Sequence, residues 1–196
     1  MTDQRENLRS EAAAELHQLG ADLRAGKAGA GTAGRILRAH LAVEACLRRH
    51  LQVMNPNLGA IEDLRLNFDR LRTAVVGMKT GSVAWANDQL QCLNVIRNKL
   101  AHRPDTIISC EDVKPLRCDA EALLQDSVAK ERLAVIVQDP AWTVEAWAMV
   151  FGMMLAVEQA MQRHMNDAEA RQRELHDSAI QLLRELLGEE GQHGGV

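Results

Sequence analysis

The 196 residues are 46% hydrophobic, enough apolar surface for one ordinary domain with a core, or one domain plus an extension. Aromatics make up only 3%, Tyr is absent, and Ala, Leu, Met, Arg, Glu and Gln dominate, which argues against a sheet-rich protein and predicts a mostly α fold. The net charge of -4 argues against a general nucleic-acid binder, but residues 1–103 hold 15 Lys and Arg against 10 Asp and Glu, whereas residues 104–196 hold 8 against 17. A polyanion can dock on the basic half, because salt confines the field of the acidic half to roughly 8 Å. The plainer reading is a solvated acidic tail.

MTDQRENLRSEAAAE is polar from its first residue and lacks the apolar core of a signal peptide. No window approaches the roughly 18 apolar residues of a membrane span, so a cytoplasmic protein with no membrane partner is expected. Cys46, Cys92, Cys110 and Cys118 stand singly, without a CxxC pair or a His/Cys cluster, and read as reduced packing residues rather than zinc ligands or disulfides.

Residues 3–25 spell a first helix, with Asp3 as its cap and Leu8, Leu16, Leu19 and Leu23 as its buried side. GKAGAGTAG breaks it; lacking a preceding strand and a Lys-Ser/Thr ending, this is a linker rather than a phosphate loop. A second helix runs from about Thr32 to Met54 with Ile36, Val43, Leu47 and Met54 on one face, and NPNLG ends it. A third spans roughly Ala60 to Val76 before GMKTG. The fourth starts at Ser82, a good N-cap, and stops at His102, where Pro104 forbids another turn. Short loops between four helices make an antiparallel bundle the economical fold.

After Pro104, DTIIS and RLAVIVQD are β-branched runs that suit a short hairpin, separated by a helix from about Val113 to Ala129. From Pro140 the pattern is helical again. Trp147, Phe151, Met154, Met161, Met165, Ala168, Leu175, Ala179, Leu182 and Leu186 keep a four-three spacing interrupted by Glu158 and Gln172. This is one long helix or two broken near HMND, packed on the bundle or on a second subunit. The expected organisation is a bundle over 1–104, an acidic insertion over 105–139, the helical stretch over 140–188, and a disordered tail over 189–196.

NVIRNKLAHRPD, residues 94–105, carries the candidate chemistry. On a helical wheel Leu90, Leu93, Ile96 and Leu100 form an apolar arc, Arg97 falls inside its edge, and Asn94, Asn98 and His102 make a polar stripe beside it, with Ala101 leaving a gap. A guanidinium at such an edge needs a carboxylate, carbonyls or an outside anion. His102 lies in the last turn, where the helix dipole favours positive charge. Such a pair suits cleavage of RNA by its own 2′-hydroxyl, with imidazole moving the proton and guanidinium stabilising the pentacoordinate phosphate. No metal or cofactor is required. One chain supplies one such His, so a two-fold homodimer would provide the second. The plain alternative is a helix cap by His102 and an Arg97 snorkelling from the core edge.

RNKLAH resembles the Arg, polar residue, four-to-six-residue spacing and His of the HEPN superfamily of α-helical bundles. More loosely, residues 32–105 are similar through HLAVEACLRRHLQ and LNFDRLRTAVVG. The resemblance implies a dimeric, metal-independent endoribonuclease of toxin–antitoxin, phage-defence or RNA-processing type. It implies Arg97 on the phosphate, His102 as acid and base, Asn98 in support, and an antitoxin or defence-system protein as partner. Some members are controlled by AMP transfer to a Tyr two residues after the His; Pro104 stands there, which excludes that control. Asn94, His40, Glu44, Arg48, Lys99 and Arg103 are further candidates for lining the cleft or touching RNA. Arg35, Arg38, Arg48, Arg49 and His50 could track phosphates or simply form a solvated face. Two other readings remain: a non-catalytic HEPN module binding RNA, nucleotide or protein, and a scaffold assembled by the final helices.

Overall fold

The computed structural model describes residues 10–14, 17–21, 31–58, 65–78, 86–103, 105–117 and 138–186, with side chains up to 181. Helix accounts for 83% of them and none is in a strand, so the described fold is an all-α, bundle-like one. Its helices are α1 (Thr32–Met54), α2 (Phe68–Gly77), α3 (Asn87–His102) and α4 (Pro140–Leu186). Residues 10–14, 17–21 and 114–117 are also helical. The chain divides into two compact units, Met1–Ala160 and Met161–Val196.

In the first unit α1 buries Ile36, Ala39, Val43, Cys46, Leu47 and Leu51, a three-four spacing that lays one stripe along the core. It has the expected bounds. Asn55 closes it, its backbone N–H and its Nδ2 both donating to the Leu51 carbonyl. Helix α2 starts at Phe68 rather than near Ala60. Asn67 caps it by accepting from the Arg70 N–H at 2.9 Å, and Arg65 has φ of 44°, a left-handed conformation incompatible with a helix interior. Helix α3 begins at Asn87, and the proposed cap Ser82 lies outside the described residues. It buries Leu90, Leu93, Ile96 and Leu100, then ends at His102 as the sequence predicts.

The expected hairpin is corrected in part. Residues 105–109 form no strand, and Ser109 instead donates its N–H and Oγ–H to the Asp112 carboxylate at 2.9 and 2.8 Å. Ile108 turns into the core and Ile107 outward, so the β-branched pair packs one residue without a ladder. The other arm lies outside the described residues but for its last two, as does most of the helix expected over 113–129.

Pro140 opens α4, and Asp139 caps it by accepting from the Ala141 N–H at 2.9 Å. The helix runs unbroken through HMND, which settles the choice between one helix and two. Up to Ala160 it supplies Val144, Trp147, Ala148, Phe151 and Leu155 to the core, with the Trp147 and Phe151 rings stacked 5.0 Å apart. Leu19 packs where Gly152 leaves no side chain: a Cβ there would meet Leu19 Cδ2 at 2.1 Å. Arg35 of α1 joins the start of α4, donating to Glu145 at 2.7 and 3.1 Å and to Asp139 at 2.6 Å.

Part of α4 is, contrary to the sequence expectation, long and apolar enough to cross a membrane, and 61% of that 18-residue window is buried. A core helix has the same composition, so this stretch carries no localisation. Cys46 is buried and Cys92 half-buried, as packing residues are, but Cys110 is exposed; none of the three is in a disulfide. Cys118 lies outside the described residues.

Candidate functional site

Three elements of the first unit converge on a pocket of about 320 Å³. Helix α1 contributes His40 and Glu44, the start of α2 contributes Asn67, Phe68 and Asp69, and α3 contributes Asn94, Arg97 and Asn98. The cap residue Asn67 positions the α2 side, while Leu93 and Ile96 anchor α3 so that the residues after them face the opening. The pocket size falls at the lower end of the range for small-molecule sites.

His40 is its most buried polar group, 2% exposed, with its ring 4.3 Å from that of Phe68. Its Nε2 has no hydrogen-bond partner among the described residues. Burial pushes its pKa down to about 4; nearby Glu44 opposes the shift and Arg97 adds to it. The imidazole is therefore neutral at physiological pH. Glu44 binds Arg48 at 2.7 Å rather than His40.

Arg97 is exposed, which corrects the expectation of a guanidinium on the edge of the apolar face. The space beside it is the pocket itself, between α1 and the start of α2. Its Nη1 donates to Asn98 Oδ1 at 2.9 Å, and among the described residues no carboxylate pairs with it. The buried-charge argument from the sequence therefore does not apply.

His102 is also exposed, and it lines a second groove of about 520 Å³ with Val95, Asn98, Lys99, Arg103 and Thr106. Five residues along a helix turn a side chain by about 140°, which separates Arg97 from His102 in one chain. Asn98 lines both openings and is the residue they share. Lys99 is held by Asp112 at 2.7 Å, and that contact together with the two Ser109 hydrogen bonds holds the Asp112 carboxyl down at about 2.

The expected phosphate-tracking face on α1 is largely committed to the fold. Arg35 is bound to Glu145 and Asp139, and His50 is fully buried. Arg48, proposed for the cleft, lines neither opening; it donates to Glu44 and to the Leu66 carbonyl at 2.6 Å. Of the sequence candidates, His40, Glu44, Asn94, Arg97 and Asn98 meet around the first pocket, and Asn98, Lys99, His102 and Arg103 around the second. Asn67, Phe68 and Asp69 were missed. Their signal is an Asn three residues before Arg70, a cap obscured when the helix is started eight residues early.

Comparisons with protein-family models, with curated proteins and with solved structures found no match to this chain.

Proposed function

We propose that this protein is a cytoplasmic, metal-independent endoribonuclease of the HEPN type, active as a homodimer and serving as a toxin or phage-defence component. Arg97 stabilises the pentacoordinate phosphate, and His102 moves the proton between the 2′-hydroxyl and the leaving oxygen, leaving a cyclic phosphate. Asn98 orients Arg97 through the hydrogen bond at 2.9 Å. An antitoxin or defence-system protein is the expected regulatory partner. The observation that carries the reading is that Arg97 and His102, at the end of α3, are both exposed and neither is consumed by an ion pair among the described residues. Ile107, next to the His102 groove and 90% exposed, adds an apolar contact where a second copy can dock.

The separation of Arg97 and His102 into two openings favours one other reading, a HEPN module that binds RNA, nucleotide or protein without cutting. One measurement divides them. The nuclease degrades RNA in EDTA, and Arg97→Ala or His102→Ala lowers the rate by about 10²-fold or more with the fold and oligomeric state unchanged. Equal cleavage by wild type and variants overturns the catalytic assignment.

A further inference from the structure

Within the second compact unit every described residue from Asp167 to Gln181 is exposed. Met161, Met165 and Leu175 are 54%, 55% and 72% exposed. Together with Ala168, Gln172 and Ala179 they step along the helix by four and three in strict alternation. A straight helix against a globular core follows a period near 3.6, whereas a strict seven-residue repeat keeps its seam on a partner that winds around it. An amphipathic helix of this kind draws most of its stability from packing that face.

We propose that residues 161–181 of α4 form a parallel, in-register two-stranded coiled coil with a second copy of this chain. This does not rest on the ribonuclease reading. Met161, Ala168 and Leu175 occupy one set of seam positions, and Met165, Gln172 and Ala179 the other. The occupant is set by the one polar seam residue: a parallel copy puts Gln172 against its own counterpart, where each amide both donates and accepts. An antiparallel copy overlapping over the same residues puts Gln172 against Ala168 twice, an apolar partner that neither donates nor accepts.

Flanking charges weigh less. The parallel arrangement sets His164 beside Glu169 and Arg171 beside His176, while the antiparallel one sets Glu169 beside Glu169 and Arg171 beside Arg171. Exposed pairs of this kind count for less than an amide stranded in an apolar layer, so Gln172 decides the orientation.

The test is sedimentation of the full chain at micromolar concentrations. Wild type sediments as a dimer. Leu175→Arg, which alters a side chain already in water and so leaves the monomer fold intact by circular dichroism, weakens the dimer more than about tenfold by placing two charges in the seam. With exposed Cys110 changed to Ser, Gln172→Cys forms an interchain disulfide under mild oxidation. A monomer at all concentrations, with the seam covered by its own chain or by another protein, overturns the proposal. So does a dimer indifferent to Leu175→Arg, and no cross-link at 172 overturns the parallel register. RNA cleavage in EDTA by wild type and by Leu175→Arg is scored separately: a dimer indifferent to Leu175→Arg sinks the coiled coil alone, and cleavage unchanged by Arg97→Ala or His102→Ala sinks the ribonuclease alone.

Discussion

His40 shows how one side chain can set the acid limit of a fold. Its pKa falls from the ordinary 6.5 to about 4, so between those values the unfolded chain binds a proton that the folded one refuses. Stability is complete above about 6.5 and declines as pH drops toward 4, by about 3 kcal/mol for this residue alone. Buried His50, also shifted downward by desolvation, adds to the same slope. Asp112 titrates below this window and contributes little within it. Urea midpoints should therefore fall between pH 7 and pH 4.5, and His40→Leu should flatten the decline. From sequence, His40 and Glu44 were recognisable as cleft candidates by their four-residue spacing. Their distance from any ion pair with each other was not, because Glu44 has Arg48 at the same spacing on its other side. Arg97 was singled out as unusual for a reason the structure removes. A helical wheel knows the direction of a side chain but not whether a neighbouring helix stands there.

Among the elements, the bounds of α1 and the end of α3 were legible because Gly, Asn and Pro punctuate them locally. The starts of α2 and α3 were not: the Asn67 cap is hidden when the helix is begun near Ala60, and the uncapped turn at Ala86 leaves no residue-type signature. Two contacts between elements lead to expected outcomes. Arg35 neutralises Glu145 inside the joint of α1 and α4, so Arg35→Met strands a buried carboxylate and costs about 3 kcal/mol, whereas Arg35→Met with Glu145→Leu recovers most of it. A double-mutant cycle by chemical denaturation checks this. At the crossing of the 17–21 helical turn with α4, Gly152→Val drives two methyl groups into Leu19, which is buried and has nowhere to move. Overpacking should cost about 1–3 kcal/mol and outweigh the gain in helix propensity, as a lowered thermal midpoint would show.

At the scale of the whole molecule, composition alone indicated a mostly α chain, and the four-three spacing after Pro140 indicated either one long helix or two broken near HMND. What it left open was where that helix stops being core, because the spacing continues unchanged through Ala160 while burial ends there. At concentrations low enough to leave the chain monomeric, brief trypsin digestion should accordingly cut after the exposed Arg171 and Arg173 before the sites of α3, as fragment masses will show. The core of the first unit has a consequence for how the protein is made. Its largest members, Trp147 and Phe151, leave the ribosome some 50 residues after α3, roughly 2 to 10 seconds later at ordinary elongation rates. During that interval the apolar faces of α1 and α3 wait without their lid, and the nascent chain is at its stickiest when synthesis is two-thirds complete.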